Sequence, residues 1–287
     1  MPEDITSVIA RAALPQQMPD GSLVPTLTVT QIEELALRFG IDGRSVEIAA
    51  LEDGVYPERY ARNFSTYDVQ DQIRLLKANV TVVGLGGLGG SVLEWLARAG
   101  VGQMRLVDGD RFEHHNLNRQ LLCTQHRIGT SKAQAAAERI CSINSSISVE
   151  THSDFLESDN AIRLISGSDA VVDCLDNITS RFILESAAKE AGIPMVSAAV
   201  AGLSGQVTTI YPQDPGLQLI YGPEEDLPSA KGAERTLGCL PQAVGLIAAA
   251  ESGEVIKILL GQEDQLLRNQ MLLVDMSTNT FDILTLI

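Results

Sequence analysis

The chain has 287 residues, 45% of them hydrophobic, enough for one large α/β domain or two small ones with a sizeable core. A formal net charge of −16 argues against broad nucleic-acid or anionic-membrane binding. Four cysteines (Cys123, Cys141, Cys174 and Cys239) lie far apart without a C-x-x-C pair, which disfavours a disulfide framework and a structural zinc site and fits a reducing cytoplasm.

The chain begins Met-Pro-Glu-Asp, without the basic and apolar stretches of a secretory leader. Residues 1–25, with Pro15, Pro19 and Pro25, read as a loose arm. Thr30 and Glu33 form a candidate capping box for a helix through Phe39, stopped by Gly40. A second short helix is expected over Arg44–Leu51, and Gly54 and Pro57 mark a boundary. Residues 1–56 therefore read as a small N-terminal helical extension, and residues 57–287 as the main domain.

In the main domain, strands are predicted over Val80–Gly84, Met104–Asp108, Ser148–His152, Ala170–Cys174, Met195–Ala199 and Gln206–Tyr211. Helices are predicted over Gly90–Ala99, Lys132–Ile143, Asn160–Ile165, Ser180–Ala191 and Leu240–Leu260. This alternation predicts a Rossmann-like α/β fold: a mostly parallel sheet with helices on both faces. Residues 212–240, rich in glycine, proline and charge, read as a long surface loop. Met271–Asp275 and Phe281–Leu286 are expected as a final antiparallel pair. The apolar run at 245–260 is interrupted by Glu251, Glu254 and Lys257, so a buried amphipathic helix is expected there, not a membrane span.

Val82–Gly89 reads V-V-G-L-G-G-L-G, a buried strand running through glycines into a helix. Gly84 suits the tight turn, Gly86 and Gly87 close backbone approach to phosphate, and Gly89 helix–strand packing. The helix N-terminus adds free N–H groups and a positive dipole end. Asp108 and Asp110 follow in V-D-G-D, where an acidic residue suits a ribose diol. A glycine motif alone fits an NAD dehydrogenase equally well. Asn116, Arg119 and Lys132, in N-L-N-R-Q and G-T-S-K, shift the reading towards ATP. Attack on an α-phosphorus develops charge on oxygens that cations neutralise, whereas a nicotinamide diphosphate needs little beyond the helix end.

Taken together, V-G-L-G-G-L-G, V-D-G-D, N-L-N-R-Q, G-x-x-K and D-C-L-D-N (Asp173–Asn177) resemble the ThiF/MoeB/HesA adenylyltransferases, bacterial relatives of the ubiquitin-activating enzymes. R-Y-A-R-N (Arg59–Asn63) and P-M-V-S-A-A-V-A-G-L-S-G-Q-V (Pro194–Val207) add to the match, which spans about residues 57–287. The resemblance implies adenylation of the C-terminal glycine of a ubiquitin-like sulfur carrier ending in Gly-Gly. ATP and Mg²⁺ are consumed and pyrophosphate leaves, for sulfur transfer in cofactor biosynthesis of the molybdopterin or thiamine type. It implies a homodimer and a sulfurtransferase as a further partner.

By the same resemblance, Gly87 would lie against the nucleotide and Asp108 would bind the ribose hydroxyls. Asn116 and Arg119 would hold ribose or phosphate, and Lys132 would neutralise the α-phosphate. Asp176 would hold Mg²⁺ with Asn177 beside it, although Asp176 could instead cap the following helix. Arg62 would reach the ATP of the other subunit, the alternative being a surface salt bridge. The two C-x-x-C pairs by which many relatives bind zinc are absent, so no zinc site is expected. His115 stands where relatives usually carry a small residue. Cys239, where the crossover loop returns to a helix, is a candidate nucleophile or small buried packing, and Cys174 is expected to be buried and inert.

The alternatives are adenylation of a peptide, a small molecule or a tRNA base by the same fold, an NAD-dependent oxidoreductase, and a non-catalytic nucleotide-binding scaffold. The negative charge speaks against the tRNA substrate, and an oxidoreductase leaves Arg62, Arg119 and Lys132 without a task.

Overall fold

The computed structural model describes residues 4–223 and 234–287. Ile5, Val8, Ile9 and Ala12 recur at helical spacing and form α1 (Ile5–Ala12), which buries Val8 and Ile9. β1 (Leu14–Gln17) and β2 (Leu23–Leu27) then pair antiparallel. From Ile5 onward the stretch expected as a loose arm is thus folded, residues 1–3 lying outside the described residues. Its prolines are compatible with pairing because Pro15 and Pro25 stand opposite each other, where neither strand has an N–H to lose.

The next helix, α2 (Val29–Phe39), is capped by Thr28 and Gln31 rather than by Thr30 and Glu33. Gln31 Oε1 accepts the Thr28 N–H at 2.8 Å, and the Thr28 hydroxyl accepts the Gln31 N–H at 3.3 Å. Gly40 ends the helix in the left-handed conformation, as expected. α3 (Gly43–Glu52) and β3 (Tyr56–Pro57) follow, and β3 completes a three-stranded sheet with β1 and β2. The extension is therefore mixed rather than purely helical. The fully buried Glu47 of α3 pairs with Arg59 Nε at 3.2 Å and accepts the hydroxyls of Tyr60 (3.2 Å) and Ser146 (3.0 Å). These bonds fasten the extension to the main domain through a paired, hydrogen-bonded buried charge.

After α4 (Val69–Lys77) the main sheet begins. It is built from β4 (Asn79–Val83), α5 (Gly87–Ala99), β5 (Gln103–Val107), α6 (Lys132–Ile143) and β6 (Ser148–His152). Next come α7 (Ala161–Ile165), β7 (Ala170–Asp173), α8 (Ile178–Ala191), β8 (Met195–Ala201) and β9 (Ser204–Ile210). α9 (Gln218–Tyr221), α10 (Glu234–Leu237), α11 (Pro241–Leu259), β10 (Gln270–Asp275) and β11 (Thr280–Thr285) complete it. The strand order is β11-β10-β9-β8-β7-β4-β5-β6, with β4 to β8 mutually parallel and β9 to β11 added antiparallel.

From β4 the chain proceeds to β5 and β6 on one side, then returns to β7 and β8 on the other. That reversal opens a crevice at the carboxyl ends of β4, β5 and β7. Val80, Val82, Met104 and Leu106 bury one sheet face beneath α5, α6 and α11. Val83, Val107, Val171 and Met195 bury the other beneath α7 and α8.

Much of the stretch expected as a surface loop is docked. Asp214 accepts three bonds from Arg268, at 2.8, 2.9 and 3.1 Å, and the Arg268 guanidinium lies 4.7 Å from the Tyr211 ring centre. Leu217 is buried and its N–H donates to Glu185 at 3.3 Å. Residues 224–233 of that stretch lie outside the described residues. In α11, Glu254 is buried because Thr209 Oγ1 and the Leu267 N–H donate to it, each at 2.7 Å. Among the described residues, no helix is long and apolar enough to cross a membrane.

Candidate active site

β4 ends in a turn that only glycine fits: Gly84 has φ +87°, and a β-carbon there would lie 2.7 Å from the Cys174 carbonyl oxygen. A β-carbon on Gly89 would meet the Gly84 carbonyl oxygen, so α5 packs directly onto the strand end. Gly86 precedes α5 with no side-chain cap, which leaves the first-turn N–H groups of α5 for an anion.

Asp108, just beyond β5, holds this turn. Its Oδ2 accepts the Leu85 N–H at 2.7 Å and its Oδ1 accepts the Asp110 N–H at 2.8 Å. Burial raises the Asp108 carboxyl above its usual range, and nearby Lys132 offsets part of the effect. Asp108 and the glycine turn are therefore one unit. Asp110, expected among the cofactor-binding residues, pairs with Lys132, whose Nζ lies 2.9 Å from Asp110 Oδ2. Lys132 is 7% exposed and opens α6, immediately after the Ser131 cap. Arg119 is oriented by the His115 carbonyl (3.0 Å) and Asn118 Oδ1 (2.8 Å).

The glycine turn, Asp108, Asp110, Arg119, Lys132 and Asp176 line one cleft of about 690 Å³. Asp176 is exposed in it, and no side-chain or backbone group among the described residues bonds its carboxylate. The capping role considered for Asp176 belongs to Asn177, whose Oδ1 accepts the Ser180 N–H at 2.8 Å and starts α8. Asn116 is buried beside the cleft rather than in its wall. Its Oδ1 accepts the Glu113 N–H at 3.0 Å and braces the loop that carries Arg119. Arg62 is exposed, on the turns after Tyr60, and is not in the cleft wall.

Cys239 lines the cleft just before α11, its carbonyl accepting from Asn118 Nδ2 at 3.2 Å. Cys174 is buried; burial, then the charges of Glu251 and Asp173, pushes its thiol well up, away from nucleophilic thiolate. His115 lies at the cleft wall, its Nδ1 3.2 Å from Glu113 Oε2.

Three cleft features escaped sequence reasoning. The first is a buried network beneath the Asp176 turn. Asp173 Oδ2 accepts from Arg181 at 2.9 Å and from Ser197 Oγ at 2.6 Å, while Arg181 also donates to the Leu175 carbonyl. Asp173 Oδ1 accepts the Leu175 N–H at 3.1 Å, so the turn presenting Asp176 is held from both sides. An aspartate ending an apolar strand was the available signal. The second is Phe155, an exposed aromatic in the cleft wall beside Gly109. The third is Gln120, the last residue of N-L-N-R-Q, buried against Gly86.

Comparison with known proteins agrees with this arrangement. Residues 59–286 match the model of the ThiF family. The chain is 35% identical over 234 residues to the SAMP-activating enzyme E1 of Haloferax volcanii, covering 80% of this chain and 85% of that protein. It is 35% identical over 226 residues to the adenylyltransferase and sulfurtransferase MOCS3 of Drosophila persimilis, covering 78% of this chain but only about half (50%) of the relative. Among solved structures, Escherichia coli MccB with ATP superposes with a TM-score of 0.68 at 22% identity, covering 80% of this chain and 72% of MccB. At that identity the likeness shows the fold alone. The family match over most of the chain, with the strand–glycine–helix turn and its acidic partner in place, assigns this chain to the ThiF family.

Proposed function

We propose that the chain uses ATP and Mg²⁺ to adenylate the C-terminal glycine of a ubiquitin-like sulfur carrier, releasing pyrophosphate. The observation that carries this reading is the Asp176 carboxylate, without a bonding partner among the described residues, lining one cleft with the glycine turn, Lys132 and Arg119. At Gly87 the start of α5 packs closely on α11, since a β-carbon there would lie 3.2 Å from Val244 Cγ1.

A C-terminal carboxylate, with an ordinary pKa of about 3.5, is already an anionic nucleophile at neutral pH. It needs no general base, which suits a cleft built of cations and carboxylates. The protein's work is positioning and charge neutralisation. Lys132 and Arg119 stabilise charge that develops on phosphate oxygens. Asp108 fixes the glycine turn while offering its remaining lone pairs to ribose hydroxyls. A magnesium ion held by Asp176 would neutralise charge on the departing pyrophosphate.

Arg62, outside its own cleft, is assigned to the nucleotide of a second copy, which makes the working unit a homodimer. Asn116 acts through the loop it braces. A sulfurtransferase is assigned as a further partner for the sulfur-transfer step. The chain lacks C-x-x-C pairs, and the proposal includes no zinc. Activity in the cytoplasm is part of the same reading.

ATP–pyrophosphate exchange, screened with ubiquitin-like proteins ending in Gly-Gly from the same genome, tests the proposal. Exchange with one carrier, abolished by deleting its last glycine, is the expected result. ATP binding without exchange for any carrier would turn the assignment to a peptide, small-molecule or tRNA substrate.

A further inference from the structure

Arg62 is exposed and its guanidinium has no bonding partner among the described residues, yet the backbone on both sides of it is anchored. On one side stands the buried Tyr60, whose hydroxyl donates to Glu47 Oε2 at 3.2 Å and accepts from Asn144 Nδ2 at 2.9 Å. Arg59, next to it, has Nε 3.2 Å from Glu47 Oε1 as a charge contact, and its Nη1 donates to Asn144 Oδ1. On the other side stands Asn63, whose Nδ2 donates to Gln72 Oε1 at 3.3 Å and whose N–H donates to the Tyr60 carbonyl at 2.8 Å. Both anchors meet the end of α5. Gln72 Nε2 donates to the Ala99 carbonyl at 2.9 Å, and Asn144 Nδ2 to the Ala97 carbonyl at 3.3 Å. A β-carbon on Gly100 would lie 2.7 Å from Gln72 Nε2 and 2.8 Å from the Tyr60 ring. The Arg62 segment is thus fixed to the far end of the helix that starts at the glycine turn.

Glu47 closes this arrangement from the N-terminal extension. It is fully buried on α3 and also accepts from Ser146 Oγ at 3.0 Å. It lies ahead of residues 59–286, which match the family. A buried ion pair adds little net stability over apolar packing, because desolvation offsets the attraction, so the geometry it imposes is the better reason for this cluster. That geometry belongs to Arg59 and Tyr60, which immediately precede the turn carrying Arg62. An arginine acts at the end of a long side chain, so a small rotation of its backbone moves the guanidinium much further. Misplacing a catalytic group by about 1 Å costs on the order of 100-fold. We infer that Glu47 is a positioning residue: through Arg59 and Tyr60 it sets where Arg62 stands for the nucleotide of a second copy. The inference rests on the adenylation reading and on the role across the dimer given there to Arg62.

The test uses full-length variants and ATP–pyrophosphate exchange with a Gly-Gly carrier that supports exchange by the wild type. Glu47→Gln is expected to lose about tenfold or more of kcat/KM. It is then mixed, after dissociation and reassociation, with Lys132→Ala or with Arg62→Ala. With Lys132→Ala it is expected to recover up to about a quarter of wild-type exchange, because the Glu47→Gln subunit supplies a sound cleft and its partner a sound Arg62. With Arg62→Ala it should give no more than the average of the two unmixed proteins, because neither subunit then has a placed Arg62. The reverse pattern would overturn the inference, since it puts the damage in the cleft of the Glu47→Gln subunit itself. Recovery in both mixtures or in neither, or undiminished exchange by Glu47→Gln alone, would overturn it as well. Should Glu47→Gln fail to fold, Tyr60→Phe removes only the hydroxyl between Glu47 and Asn144 and goes through the same mixtures with the same expected pattern. No recovery when Arg62→Ala is mixed with Lys132→Ala would instead defeat the role of Arg62 across the dimer. Wild type that binds ATP but exchanges with no carrier would defeat the adenylation reading itself.

Discussion

The ring of Phe155 occupies the space beside Gly109: a β-carbon on Gly109 would fall 2.8 Å from the ring. Phe155 is 62% exposed although it is a large aromatic, and it lines the cleft next to Asp108. An open aromatic face beside the carboxylate proposed to bind ribose suits base stacking, worth about 1–3 kcal/mol by alanine substitution. Phe155→Ala is expected to weaken ATP binding by about that amount, measured by calorimetry. Gly109→Ala should weaken it by displacing the ring, so the double variant should bind no worse than Phe155→Ala alone.

Asp176 has no bonding partner among the described residues, so its replacement should leave the fold intact. Asp176→Ala is expected to keep the wild-type melting temperature, a change within about 0.5 kcal/mol, while losing about 100-fold or more of exchange activity. A stability loss of the size seen for buried networks would mean that Asp176 belongs to the structural set around Asp173.

Glu251 sits fully buried within α11, facing Cys174 Sγ at 3.6 Å, with Asp173 and Arg181 acting on it. Burial, then the charge of Asp173, raises its carboxyl well above the ordinary 4.5. Below 4.5 the group is protonated in both folded and unfolded chains, and its contribution is complete. As pH rises past that value the unfolded chain loses its proton first, and stability falls until the folded carboxyl ionises too. Glu251→Gln lacks this proton. Its stability relative to wild type should therefore climb with pH, by up to about 1.4 kcal/mol per pH unit across the window, in urea titrations run from pH 5 to about pH 9. A pH-independent difference would mean that Glu251 does not titrate differently on folding.

Arg62 and Lys132 are assigned to one reaction, but Lys132 lines its own cleft and Arg62 does not. If Arg62 serves a partner copy, Arg62→Ala and Lys132→Ala are each inactive alone, yet a mixed dimer contains one cleft with both groups. Mixing the two after dissociation and reassociation is expected to restore up to about a quarter of wild-type exchange, from random pairing and one sound cleft of two. No recovery in a verified mixed dimer would place Arg62 outside the reaction.

Much of this was legible because it is local. Buried strands run straight into glycine turns, and Gly84 and Gly89 are forced by backbone contacts that the motif spacing anticipates. The hairpin of β1 and β2 was hidden because Pro15 and Pro25, read singly, break strands; their mutual pairing is a tertiary fact. The docking of Leu217 and Asp214 onto Glu185 and Arg268 was equally invisible, because a polar, glycine-rich sequence does not announce distant partners. In the cleft, the motifs located Asp108, Arg119, Lys132 and Asp176, but not which of them were already occupied. Asp110 is the counter-ion of Lys132, Asn177 is a helix cap and Asn116 is a loop brace, and each of these follows from partners brought together only by folding.

The most direct measurement is the intact mass of a Gly-Gly carrier after incubation with the chain, ATP and Mg²⁺ under pyrophosphatase. The carrier should gain one AMP, the adduct should vanish with Lys132→Ala, and a carrier lacking its last glycine should gain nothing. An unmodified carrier in the presence of chain that demonstrably binds ATP would contradict adenylation of a protein C-terminus.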